Sequence, residues 1–264
     1  MKRQAHIYIL LCILMSLSAC RKSLYDVPYP SEITKTHRES IGDYIHEQIE
    51  IQSDFNLLDK TDSNVSAFVL IQRIYDQVTN TMRLDNKSPD ANRWERDRPW
   101  QIQIIDASDQ IAFVIPGGDL YISKGLLKAI ASESELYYIL ATEAILMNDR
   151  YLLGNMITAY STKTLVKIAN GDQITDDRVD NIGTDVGMFE YDFGKSEEIK
   201  SKVAHLICTT SIYNPASVNK LIEKLSKTNQ WMMTRPVGLS NNQIIECGTL
   251  ETNGLYQSQV LDVL

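Results

Sequence analysis

Apolar residues fall into two early blocks at helical spacing. Ile41, Tyr44, Ile45 and Ile49 share one face, and Phe68, Ile71, Ile74, Tyr75 and Val78 share another. The polar stretch 60–65 between them reads as a loop. Residues 100–104 (WQIQI) then alternate polar and apolar, the pattern of a half-buried strand. Residues 112–115 and 120–122 are short apolar strands, separated by Pro116-Gly117-Gly118. That triplet predicts a turn, because proline presets φ and glycine accepts φ above zero. Ser132 with Glu135 three residues later forms a capping box. It opens an amphipathic helix with Leu136, Ile139, Leu140, Glu143 and Leu146 at helical spacing. Helical character runs on towards Ala169, where Asn170-Gly171-Asp172 stops it. Residues 172–194 read as an acidic, loop-like insertion and 197–211 as another helix. Asn214-Pro215 opens a further helix to about Leu225, and 228–264 is irregular with short apolar runs. No internal repeat is present.

The amino terminus changes the picture of where this chain resides. Lys2 and Arg3 precede an apolar run over 7–14 and then Leu17-Ser18-Ala19-Cys20. The run is too short to cross a bilayer, which takes roughly 20 apolar residues, and its flanks are those of a signal peptide. Leu-Ser-Ala-Cys resembles the lipobox of bacterial lipoproteins. The resemblance implies cleavage before Cys20, acylation of Cys20, and anchoring at about 0.8 kcal/mol per buried methylene. Arg21, where inner-membrane retention uses aspartate, implies the periplasmic face of the outer membrane. The expected organisation is a signal over 1–19, a tether over 20–38 containing Pro28 and Pro30, and a single domain over 39–264 with an irregular tail.

Losing Lys2 and Arg3 leaves 24 of the 26 basic residues against 34 acidic ones, a formal charge of about −10. Such a chain is a poor match for nucleic acid; its membrane contact is expected through Cys20. Two further cysteines remain, Cys208 and Cys247, which an oxidising compartment could pair. The alternative for Cys208 is a small buried thiol in the apolar segment 204–208.

Candidate chemistry is sparse. Trp94 and Trp100 stand among arginines in the least globular stretch, as a protein-contact patch or as a loop covering the core edge. Leu261 and Leu264 in the apolar tail are either a contact surface or packing on their own domain. His37, His46 and His205 show no metal-ligand spacing, and His205 on an apolar helix reads as a core residue. Asp176, Asp177 and Asp180 could hold calcium loosely, but lack the glycine and bidentate glutamate of an EF-hand loop. No cofactor is expected.

The order of motifs adds a resemblance. Residues 113–127, FVIPGGDLYISKGLL, resemble a segment of the gluzincin peptidases of the HtpX, BepA and CAAX-prenyl-protease kind. In that family the next helix carries His-Glu-x-x-His; here the window reads Thr142-Glu143-Ala144-Ile145-Leu146. Ile212-Tyr213-Asn214-Pro215 resembles the family's Gly-Tyr-Asp-Pro, which puts the third zinc ligand at Ile199. A later Thr-His-Pro appears as Thr234-Arg235-Pro236. The resemblance implies a zincin-like α+β fold, helix-rich, with a small mixed sheet packed on the former zinc-site helices. It also implies lost chemistry. A catalytic zinc takes three donor ligands, and Thr142, Leu146 and Ile199 do not supply them. Only Glu143, the general-base position, survives, without the metal-bound water it would act on.

Three functions follow as expectations. The first is a pseudopeptidase, not an enzyme, serving as a structural subunit among other proteins of a cell-envelope assembly. The outer-membrane core of a type IV secretion system of the Dot/Icm kind is a candidate setting. The second is a periplasmic module that binds peptides or outer-membrane proteins by strand addition around 120–123. The third is an active metallopeptidase with Glu143 as base.

Overall fold

The computed structural model describes residues 31–51, 55–85, 100–148, 151–189, 193–210, 213, 221, 231–232 and 256–264. The first helix, α1 (Lys35–Ile51), buries Ile41, Ile45 and Ile49 on the face its spacing predicts. It begins at Lys35, inside the stretch 20–38 expected as a tether. Ile33 is already buried, and the Thr34 hydroxyl accepts from His37 N–H at 3.2 Å to cap the first turn. The compact unit accordingly starts at Ser31. Helix α2 (Val65–Asp85) buries Phe68, Ile71, Ile74, Tyr75 and Val78, all five of its expected apolar positions.

Three strands follow, β1 (Ile102–Ile105), β2 (Gln110–Val114) and β3 (Leu120–Ser123). Strand β3 lies centrally, parallel to β1 and antiparallel to β2, and a two-residue β4 (Trp231–Met232) adds to the outer side of β2. Gly118 N–H donates to Ile115 C=O at 3.0 Å across the β2–β3 turn. With Pro116 second and Gly117 at φ 92°, this is a type II turn, the conformation the triplet predicts. Gly118 follows at φ 96°, and a Cβ there would stand 2.1 Å from the Trp100 indole. The turn is also pressed against α1, since a Cβ at Gly42 would lie 1.8 Å from the Pro116 carbonyl oxygen.

Ser123 ends β3 and caps the short α3 (Lys124–Ala129): its Oγ accepts from Leu126 N–H at 3.1 Å and Ile111 N–H at 2.9 Å. Helix α4 (Glu133–Asn148) then departs from the amphipathic expectation. Every residue from Glu133 to Leu146 is buried, because α2, α7 (Phe193–Thr210), α5 (Tyr151–Asn170) and β2 pack around it. Helix α5 breaks at Ser161, whose φ of 68° is non-helical, and ends in a Schellman motif. There Gly171 N–H bonds Ile168 C=O at 3.0 Å and Asp172 N–H bonds Lys167 C=O at 2.9 Å.

The acidic stretch is not a loop. Residues 177–188 form two 3₁₀ turns on either side of the one-turn helix α6 (Ile182–Asp185), with Val179, Ile182 and Val186 buried beneath the charges. At the end of the chain Tyr256 and Val260 are buried. The Tyr256 hydroxyl donates to Leu127 C=O at 2.6 Å, and Ser66 Oγ donates to Gln259 C=O at 3.0 Å. The architecture is α+β, helix-rich, with a small mixed sheet. The helix expected after Asn214-Pro215 lies outside the described residues.

The turn supplies a test. Gly118→Ala, which combines positive φ with collision against Trp100, should lower unfolding free energy by about 2 kcal/mol or more. Gly154→Ala, in an open helical position where a Cβ meets nothing within 4 Å, should instead be neutral or stabilising by up to about 1 kcal/mol. Urea titration of the two variants beside the parent measures both.

Candidate functional site

The candidate site is built on α4, whose start is fixed by its cap. Ser132 Oγ accepts from Glu135 N–H at 3.3 Å, and Glu135 Oε2 accepts from Ala131 N–H at 2.6 Å. The reciprocal box is present, with the glutamate reaching one residue further back than the usual partner. Glu133, the first helical residue, is 3 % exposed, and its Oε2 accepts from Arg73 Nη2 at 3.0 Å. Tyr213, from the Ile-Tyr-Asn-Pro segment, is buried beside it. Its hydroxyl donates to Gln77 Oε1 at 3.0 Å and stands 3.4 Å from Glu133 Oε2. Burial and the neighbouring Glu133 charge push the Tyr213 phenol up to about 12. Its ring lies 4.8 Å from Tyr137, so Tyr213 is tied to the base of α4 by both polar and aromatic contacts.

One and a half turns further on lie the positions of the peptidase resemblance. Thr142 is 2 % exposed, and its hydroxyl donates to Tyr138 C=O at 2.9 Å within its own helix. Leu146 on α4 and Ile199 on α7 are buried core residues. Glu143 is also 2 % exposed. Val114 N–H hydrogen-bonds to its carboxyl group, whereas Oε1 has no protein partner. The backbone geometry explains the contact. Ile115 N–H bonds Asp119 C=O across the hairpin, so the preceding N–H, of Val114, faces away from β3 and towards α4. Loss of hydration pushes the Glu143 carboxyl up to about 8, against the weaker opposing effect of the Val114 N–H. At neutral pH this residue is chiefly a neutral acid.

The sheet edges bear on peptide binding. Strand β3 is paired on both sides and buried throughout, so residues 120–123 offer no edge for strand addition, contrary to the expectation. On β2 the outer side is taken by β4 at Gln110 and Ile111 and by Glu143 at Val114.

Other expected positions separate. Trp100 is buried 5.7 Å from the Tyr75 ring and against Gly118, which corrects its reading as a contact residue: its indole fills the core edge. His205, expected in the core, is exposed on α7 because it falls between the buried positions Ala204 and Leu206 on the helix's outer side. Leu261 and Leu264 are half-buried. Cys208 is disulfide-bonded, and its partner lies outside the described residues, as do Cys247, Cys20 and Trp94. Asp176 is committed to Arg178, whose Nε and Nη2 donate to it at 2.8 and 2.7 Å. Those bonds hold its carboxyl down to about 2. Among the described residues no cluster of histidine, cysteine, aspartate or glutamate is arranged to hold a metal ion. Nor is any described helix long and apolar enough to cross a membrane.

One pairing had no sequence signal. His46 Nδ1 hydrogen-bonds the buried Tyr121 hydroxyl, 75 residues away, and its Nε2 lies 3.4 Å from Glu50 Oε1. Tyr121 stacks on Phe113 at 4.9 Å, which in turn contacts Phe55 at 5.6 Å. No protein-family model matches this sequence, and no curated protein is detectably similar to it.

The Glu143 environment gives a pH prediction. The folded chain holds a proton that the unfolded chain releases near 4.5, so stability should fall as pH rises from about 4.5 through 8 and level off above. The full loss is on the order of a few kcal/mol. Glu143→Gln, neutral at every pH, should flatten this slope and gain stability over the parent mainly at pH 8–9. Equal slopes for the two proteins in denaturant titrations from pH 5 to 9 would show that Glu143 is not the group responsible.

Proposed function

We propose that the chain is a lipid-anchored, catalytically inactive peptidase-like protein that serves as a structural subunit of a cell-envelope assembly. The carrying observation is the occupancy of the three positions that correspond to zinc ligands. Thr142 spends its hydroxyl on its own helix, and Leu146 and Ile199 are packed in the core. A zincin-like site needs nitrogen, oxygen or thiolate donors facing a water, and these side chains serve packing instead. The Glu143 carboxyl is likewise turned to the sheet, where it meets Val114 N–H. A scaffold with these replacements suits a role carried by surfaces. The anchor rests on Leu17-Ser18-Ala19-Cys20 and its resemblance to a lipobox, and the outer-membrane core of a type IV secretion system is a setting consistent with it.

Gentle detergent extraction of a tagged full chain tests the reading. A fixed set of envelope proteins should copurify at constant ratio, in a particle well above the 30.0 kDa chain. Elemental analysis of the same material should find far less than one zinc per chain, and Cys20→Ser should release the protein from membranes. A free monomer after extraction, or one tightly held zinc per chain, would overturn the proposal.

A further inference from the structure

Among the described residues, backbone pairing covers only half of the outer edge of β1. Phe55 to Leu58 run antiparallel along its far end: Leu58 N–H donates to Ile104 C=O and Asp106 N–H to Asn56 C=O, both at 2.7 Å. Past Leu58 the chain bonds within its own segment, with Asn64 Nδ2 donating to Asp59 C=O at 2.9 Å. Further back on the same edge, Trp100 C=O and Ile102 N–H face α2, since Gln101 C=O is directed at Leu120 N–H of β3. These are the two groups, on either side of one residue, that a neighbouring strand engages in a ladder. Here one side chain engages both. Gln72 Nε2 donates to Trp100 C=O at 2.8 Å, and Gln72 Oε1 accepts from Ile102 N–H at 3.1 Å. A carboxamide thus stands where the peptide groups of an added strand would stand.

This bridge lies in a groove of about 870 Å³ between α2 and the segment 57–60, with Val69 exposed in its wall. Glu50, Asp59 and Asp76 line the groove against Lys60 and Arg73, and Arg73 is already paired with Glu133. Among the described lining residues, carboxylates are therefore in excess. We propose that this edge is a docking site for an extended, basic peptide segment of another protein, which adds to β1 at Trp100–Ile102 and displaces the Gln72 carboxamide. The continuity with residues 55–58, already paired on the same edge, sets the line the added strand follows.

The test uses full-length protein in detergent and a phage-displayed library of random decapeptides. Selected sequences should be rich in lysine and arginine, and benzophenone-bearing synthetic copies should crosslink to residues 57–60 or 69–80. Backbone N-methylation at alternate residues should weaken binding by at least tenfold, because it removes ladder donors and keeps side chains. Gln72→Ala, which frees Trp100 C=O and Ile102 N–H in advance, should tighten binding about tenfold. Val69→Lys, on an exposed position that leaves the fold intact, should weaken it. Failure to enrich any binder would overturn the proposal. So would affinities indifferent to N-methylation and to Gln72→Ala, the result expected if Gln72 only plugs the edge, and so would crosslinks confined to other surfaces.

Discussion

Burial of α4 on every side is the constraint from which the rest follows. Fourteen consecutive residues, Glu133 to Leu146, lie out of solvent, among them five polar ones. Each polar group in such a helix needs a partner, or a cost of about 1–3 kcal/mol remains. The neighbouring elements supply what is needed. Arg73 from α2 meets Glu133, and Val114 from β2 meets Glu143, while Thr142 turns back on Tyr138. The positions of α2 and the sheet around α4 are therefore set by polar complementarity as well as apolar packing. Glu133 Oε1 and Glu143 Oε1 are left over, and both carboxyl groups stay buried despite that cost.

The sheet is small, and its edges are closed by side chains in two places. Glu143 accepts from the outward N–H of Val114, and Gln72 bridges the outward groups of Trp100 and Ile102. A sheet of so few strands has proportionally much edge, and unpaired backbone groups invite pairing with other chains. The two closures differ in kind. Glu143 is buried and offers one contact, whereas Gln72 is half-exposed, engages two groups and opens onto a groove. The first lies inside the core; the second lies in the groove wall, where Gln72 Nε2 also donates to Asp76 Oδ1 at 3.1 Å.

Much of the frame was readable in the residues, and the exceptions have physical causes. The faces of α1 and α2 follow from spacing because each helix meets the core on one side only. The Pro116-Gly117-Gly118 turn was readable because its backbone admits so few alternatives. Helix α4 imitates an amphipathic helix, since Leu136, Ile139, Leu140 and Leu146 complete one apolar face and polar Glu133 and Thr142 flank it. Only tertiary partners, invisible to periodicity, reveal that those groups are inside. Residues 177–188 imitate a loop for the converse reason: Val179, Ile182 and Val186 are too widely spaced among acids to signal an element, yet they anchor three short turns. The Tyr121–His46 bond and the Gln72 bridge join residues 75 and about 30 apart in the chain, and nothing local announces either.

The proton state of Glu143 bears on what kind of residue it is here. A general base must be ionised at working pH and in reach of a proton to remove. This carboxyl is dry, pushed up to about 8, and engaged with a backbone N–H of the sheet. Its neutral form can accept that N–H through one oxygen, whereas its anion would be buried without a compensating cation. A cation or a polar ligand at Thr142, Leu146 and Ile199 would restore the anion by offsetting its desolvation. Those three positions instead hold a self-bonded hydroxyl and two aliphatic chains. Side chains of this kind supply neither donors for a metal nor a field that would keep Glu143 charged. The carboxyl is left as a hydrogen-bonding strut between helix and sheet.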